Sequence, residues 1–436
     1  MNLKETLNNS DPFSRRAFLG GAARGLLGVG LMPMMGGFSN LLMPQEEPIV
    51  LGPATAKNVI YLFMKGGMSH LDTFDLKPGA ESQGPTKAIS TNVDGMLVSE
   101  HMPALAKHMD KVAVINSMFS NQGAHVTGRY LMHTSYVARG TIKHPSMGAW
   151  LGHLSGRNNN TLPGHVVVGE DTTMATNGFM SSEYAPLPIG DAAQGLSNGR
   201  RHKNVDQKTF AKRMSRLEMM NKAFSAKHGS QSTADYDKMY KEAVKLMSSS
   251  DLAAFDISQE DDLIKKAYGS DPFAQGCLLA RRLIEHDVRY VEVVLNGWDT
   301  HNENFDALET QVPKLDRALA CLLADLEVRG LLNDTMVVLG TEFGRTPEIN
   351  AGRNGRDHYP RAFSCLLAGG GIKGGVRWGK TDEFGAQIVE NKVTVQDFNA
   401  TIAHGLGLPL EHRVFSPTGR PFQVADKGKP VLQLFA

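Results

Sequence analysis

The sequence predicts an α/β fold built on a mainly parallel sheet, and three observations carry that expectation. Short continuous apolar runs recur along the chain, the pattern of strands buried on both faces. The first of them, "NVIYLFM" at 58–64, stops at "KGG", where glycines end the strand. Between the runs near 289 and 335, Leu315, Leu319, Leu322 and Leu326 repeat at helical spacing with charges on the other side, so strand, helix and strand form a βαβ unit.

The elements follow in order. Residues 1–56 read as an export signal and linker: "SRRAFLGGAARGLLGVGLMPMMGG" sets Arg15 and Arg16 before a weakly apolar stretch, and the pair followed by Phe18 and Leu19 resembles a twin-arginine signal. Arg24 and Pro33 interrupt the apolar stretch, so no stable membrane span is expected in the mature form. A basic tail or a short amphipathic anchor is the alternative. With the signal reading come the twin-arginine export machinery as a partner and a periplasmic or cell-surface location. The main domain is expected over 57–436, with strands at 58–64, near 112 ("VAVINSM"), near 165 ("HVVVG"), near 289 ("VRYVEVVL"), near 335 ("TMVVLG") and from 363 ("FSCLLAGGG"). Residues 200–267 mix Lys and Arg with Phe210, Met214, Leu217 and Phe224, which predicts a helical insertion whose basic run is a solvated face.

Composition narrows the function classes. At 436 residues with 41% hydrophobic and 21% charged residues, the chain can bury a sizeable core. A formal charge of +1 argues against a dedicated nucleic-acid or anionic-membrane binder, while leaving room for a local basic patch. Three cysteines, Cys277, Cys321 and Cys365, lack metal or redox spacing and read as free thiols.

In open α/β sheets the loops at the carboxyl ends of the strands converge on one crevice. The loop after the first strand offers Lys65, His70, Asp72 and Asp75, and the next offers His125, Thr127, Arg129 and His133. The run at 289 leads to Asp299 and His301, the run at 335 to Glu342 and Arg345, and "INAGRNGRDHYP" adds Asp357 and His358. An i, i+2 pair in extended chain points to one side, so Asp299 and His301 can reach one ion, with His358 and Glu342 as first choices to complete it. Against this stands an Asp299 that caps a helix beginning near Asn302. His125 reads as a ligand, an acid or a structural histidine, and Arg129 and Arg345 as anion binders or salt-bridge partners.

The order "NGWDTH", long helix, "VVLGTEFGR", "RDHYP" resembles the alkaline phosphatase superfamily with its sulfatases and cofactor-independent phosphoglycerate mutases. With "GGMSHLDTFD" and the twin-arginine start added, the chain resembles over nearly its whole length a family of exported bacterial proteins of unknown function, sulfatase-like and grouped with that superfamily. The resemblance implies an alkaline-phosphatase-like three-layer sandwich. It matches Asp299, His301 and His358 to the ligands of one metal site and Glu342 to the Asp of a second. Phe343 stands where the second site has its His, and Lys65, Gly66 and Gly67 stand where the first strand should end in Asp, so rebuilding the second position calls for His70 or Asp72 to fold back. Asp357 joins the ligand candidates, and the catalytic ones are His125, Arg345 and Thr127, the last matched by the resemblance to a nucleophile at a helix start and reading equally as a helix cap.

The expected function is an exported hydrolase of phosphate or sulfate esters, on small molecules or polysaccharides, using a divalent metal: zinc first, then calcium, manganese or magnesium. The rival is a non-catalytic exported binding protein that keeps the fold around a degenerate metal site, supported by Phe343 and the missing strand-end Asp.

Overall fold

The computed structural model describes residues 48–170, 175–197, 199, 204–228 and 231–436. The Arg15–Arg16 signal lies outside the described residues, as do 200–203 of the expected insertion. All six apolar runs are strands: β1 Asn58–Met64, β2 Val112–Phe119, β3 His165–Val168, β5 Tyr290–Leu295, β6 Thr335–Thr341 and β7 Phe363–Ala368. Three shorter strands join them, β4 Leu187–Ile189, β8 Val376–Trp378 and β9 Val393–Thr394. Among the described residues they form one nine-stranded sheet in the order β8-β2-β7-β6-β1-β5-β3-β4, with β9 also on β2.

The sheet is parallel except for β7, which runs antiparallel to both β2 and β6. The cause is the connection before it. Residues 342–362 contain a two-residue ladder, Gly344–Arg345 with His358–Tyr359, and no crossover helix. A chain that returns without a crossover must pair antiparallel. So β7 begins at the edge where β1, β5 and β6 end, which keeps His358 beside those strand ends.

The helices used below are α1 His125–Thr134, α2 Met147–Ser155, α3 Gln207–His228, α4 Gln231–Met247, α5 Pro272–Glu285, α6 Asn304–Val328 and α7 Val395–Gly405. Side chains alternate across a strand, so Val59, Tyr61 and Phe63 enter one core while Ile60, Leu62 and Met64 enter the other. Leu131 of α1, Trp150 of α2 and Phe398 of α7 cover the first face. Leu315, Leu319, Leu322 and Leu326 of α6 cover the second, together with α5, as the helical spacing predicts. The result is a helix, sheet, helix sandwich.

The described chain divides into two compact units, a small one within 198–241 and a large one within 46–197 and 242–436. In the small unit α3 meets the start of α4: the Tyr240 hydroxyl lies 3.6 Å from the Met214 sulfur, and Asn221 donates to Asp237 at 3.3 Å. The strand-end loops all belong to the large unit.

Candidate metal centre

Four side chains from three loops meet above the strand ends. Asp299 and His301 follow β5, His358 precedes β7, and His125 opens α1 after β2. One ligand atom from each lies within 4.8 Å of every other, and among the described residues this is the one group of histidines, cysteines and carboxylates so arranged. Asp299 Oδ1 stands 3.2 Å from His301 Nε2 and 3.4 Å from His358 Nε2, and its Oδ2 is 3.1 Å from His125 Nε2. His301 Nε2 and His358 Nε2 are 2.9 Å apart. Ligands bonded tetrahedrally to one ion at 2.0–2.2 Å sit roughly 3.3–3.6 Å from each other. The quartet needs little rearrangement to match that.

The back of each imidazole is already anchored. His301 Nδ1 donates to Asp357 Oδ1 at 2.6 Å, His358 Nδ1 to the Gly123 carbonyl at 2.8 Å, and His125 Nδ1 to Glu342 Oε1 at 3.0 Å. A neutral imidazole has one N–H, so anchoring Nδ1 leaves Nε2 as an acceptor. With the rings neutral, three Nε2 lone pairs and a carboxylate face a common point, and a cation there, a proton or a metal ion, relieves their repulsion. His125 Nε2 shows the same thing separately: it is shielded from solvent and stands near Asp299 without the alignment of a hydrogen bond. Metal-ligating histidines are held by this kind of outer partner. The residues present therefore fit a divalent ion.

Local backbone explains how these loops meet. The "RNGR" segment at 353–356 is laid along the start of α6, with Glu303 N–H donating to the Arg353 carbonyl and Asn304 N–H to the Asn354 carbonyl, both at 2.9 Å. These carbonyls take the N–H groups of the cap residue and of the first helical residue, and Glu303, not Asp299, occupies the cap position. Asp299 is therefore free of the capping role and faces the quartet. Gly355 allows the close passage, since a Cβ there would sit 1.9 Å from the His301 carbonyl oxygen.

Arg345 braces the floor. Fully buried, its guanidinium donates to the carbonyls of Gly67 at 2.8 Å, Arg356 at 3.1 Å and Trp298 at 2.9 Å, to that of Gly66, and to Asp299 Oδ1 at 2.8 Å. Burial works against the charge on Asp299, but the Arg345 guanidinium beside it prevails and brings its pKa down to about 2. Gly66 has φ +125°, and a Cβ on it would lie 2.4 Å from the Asp299 nitrogen. The glycines at the end of β1 thus offer bare backbone: Gly66 N–H donates to Glu342 Oε1 at 3.0 Å, and the carbonyls of Gly66 and Gly67 receive Arg345. Gly66→Ala should cost about 1–3 kcal/mol by strain, read as a lower midpoint in urea, and should weaken metal uptake by displacing Asp299.

The other predicted residues are not brought to the quartet. Glu342 is buried behind it, holding His125 and the Gly66 N–H. Asp357 holds His301 and is itself paired with Arg353 at 3.0 Å. His70 does not fold back: its Nε2 bonds the Gly385 carbonyl at 2.8 Å, and its ring packs where a Cβ on Gly344 would be. Asp72 is committed to a buried ion pair with Arg356 at 2.9 Å and to Asn304 at 3.2 Å. Phe343, wholly buried, packs its ring 4.5 Å from that of His358 and 5.2 Å from that of His125, and offers no ligand atom there. Thr127 is neither cap nor free: Ala124 holds the cap position and the Thr127 hydroxyl donates to its carbonyl at 3.2 Å. Arg345 reaches Asp299 from below, where its donors are used on backbone. Arg353 went unpicked by sequence reasoning, and only its spacing of four from Asp357 hinted at a pair.

Residues 56–435 match the family described as Protein of unknown function (DUF1501). Similar solved structures include Ps i-CgsB, at 9% identity over 86% of this chain and 75% of that chain, with a TM-score of 0.42. The PsFucS1 sulfatase from Pseudoalteromonas sp. is 14% identical over 86% of this chain and 73% of that chain, with a TM-score of 0.39. The phosphonate monoester hydrolase of Agrobacterium radiobacter is 11% identical over 87% of this chain and 77% of that chain, also with a TM-score of 0.39. No curated protein matches the chain.

Proposed function

The chain belongs to the DUF1501 family, and we propose that it is a divalent-metal hydrolase of phosphate or sulfate esters with a single-ion centre. One observation carries the metal reading: three imidazoles, each anchored through Nδ1, present Nε2 toward the carboxylate of Asp299. Asp299, His125, His301 and His358 would hold the ion, with zinc the best match to three nitrogens and one oxygen. When bound, such an ion supplies Lewis-acid polarisation of an ester oxygen and acidifies water at the site. The chain's own residues orient that chemistry. Arg345 keeps Asp299 ionised, Glu342 and Asp357 fix two of the rings, and Phe343 limits water behind them. Thr127 serves as nucleophile only after its hydroxyl leaves the Ala124 carbonyl. The ester class rests on the motif order shared with the alkaline phosphatase superfamily. Export as a folded protein to the periplasm or cell surface rests on the Arg15–Arg16 pair.

A second reading has an observation of its own. Four protein ligands complete a tetrahedral shell, the habit of sites that hold metal without turnover. Chromogenic phosphate and sulfate esters offered with zinc, manganese, calcium or magnesium separate the two. Turnover that depends on the ion and is lost in His301→Ala supports the hydrolase; ion uptake with no turnover across the panel supports the binding protein.

The outer partners give a graded expectation. His301 and Arg353 hold the Asp357 carboxyl below the usual carboxylate range. Asp357→Asn should keep the fold and lower metal affinity by roughly 10–100-fold, measured by competition with a chromophoric chelator. Affinity equal to wild type would remove Asp357 from the account.

A further inference from the structure

The helix α3 of the small unit has two unlike sides. Phe210, Met214, Leu217 and Asn221 recur at helical spacing, are partly buried, and include the residues that meet Tyr240 and Asp237 of α4. Six basic residues, Lys208, Lys212, Arg213, Arg216, Lys222 and Lys227, lie on the remaining surface against a single acid, Glu218. At about 100° per residue the six fall within roughly half the circumference, opposite the packed side. None of the six side chains forms an ion pair or hydrogen bond among the described residues. Solvated basic faces on folded helices usually carry interleaved acids, which this one lacks.

The same half carries apolar side chains. Met219 and Met220 are 62% and 69% exposed, standing among the cations instead of on the packed side. Exposing two adjacent thioethers has no benefit for a helix that only faces water. A surface with dense negative charge at its face and hydrocarbon just beneath satisfies both features, since lysine and arginine meet the headgroups while the methionines enter the headgroup and acyl boundary. A nucleic acid would take the cations but leave the methionines in water. The chain's formal charge of +1 means that attraction to such a surface must come from a local patch and not from the molecule at large. No helix among the described residues is long and apolar enough to cross a membrane, so the contact would be peripheral.

We propose that the outward face of α3 is a docking surface for an anionic lipid bilayer. The proposal does not depend on the metal centre. The test is co-sedimentation of the full chain with vesicles of mixed phosphatidylglycerol and phosphatidylcholine, and with phosphatidylcholine alone, at low and high salt. Wild type should bind the anionic vesicles at least about tenfold more tightly than the neutral ones and lose most of that at high salt. The variant Lys212→Glu, Arg213→Glu, Arg216→Glu should lose at least about tenfold, with its circular dichroism unchanged because the positions are exposed. Met219→Ser with Met220→Ser, which leaves every charge in place, should weaken binding at high salt more than at low salt. Wild type that ignores anionic vesicles would overturn the proposal, as would a triple variant that binds as well as wild type; the first outcome would turn attention to an acidic protein, the second to another part of the chain.

Discussion

Replacing His301 with Ala should lower affinity for divalent metal by more than about 100-fold, beyond the 10–100-fold typical of losing an outer partner. The ring supplies one of three Nε2 atoms that face Asp299, at 3.2 Å from Oδ1. His70 and Asp72, ligand candidates of the sequence, are fastened to the Gly385 carbonyl and to Arg356. The side chain of His301 is 30% exposed, so its removal should leave the unliganded fold close to wild type. Chelator competition and thermal melting with and without zinc check both halves. The expected pattern is a wild-type melt that rises with zinc and a variant melt that does not. Zinc stabilising the variant as it does wild type would place the ion elsewhere.

The second large effect is on stability. Arg345→Met should destabilise the protein by about 3–5 kcal/mol, the range for removing one partner of a buried charged network. The side chain is wholly buried, and its donors serve four backbone carbonyls as well as Asp299. Methionine fills much of the volume and satisfies none of those acceptors, each of which costs about 1–3 kcal/mol when left unpaired in a dry interior. Arg345→Lys should recover little, because one ammonium group cannot span carbonyls from the ends of β1 and β5 and the loop at Arg356 together. Urea unfolding monitored by circular dichroism gives the measurement. A loss below about 1 kcal/mol, the scale of an exposed pair, would mean that water replaces the guanidinium.

The strands and the covering helix α6 were legible because their signal is local: apolar runs stopped by glycine, and leucines every three or four residues. The direction of β7 was not, since Phe363–Ala368 is equally apolar either way and the missing crossover shows only when the loop is seen to fold back. Asp299, His301 and His358 could be grouped because motif order survives in sequence. The ligand geometry of His125 could not. Four strand spacings, roughly 19 Å, separate β2 from β5 in the sheet, and the gap is closed by a loop whose ties, Ser120 N–H to the Pro360 carbonyl at 2.8 Å and the His358 ring to the Gly123 carbonyl, end on backbone groups that any residue would supply. Glu342 and Asp357 illustrate the opposite difficulty. Both are ligand-type residues beside ligand-type residues, and only distance shows that they hold the rings from behind.

Anomalous diffraction from crystals soaked in zinc tests the central claim most directly. The account predicts one peak, bonded at about 2.0–2.2 Å to Nε2 of His125, His301 and His358 and to a carboxylate oxygen of Asp299. A peak bonded through any Nδ1, a peak at another group of residues, or no peak at saturating zinc would contradict it.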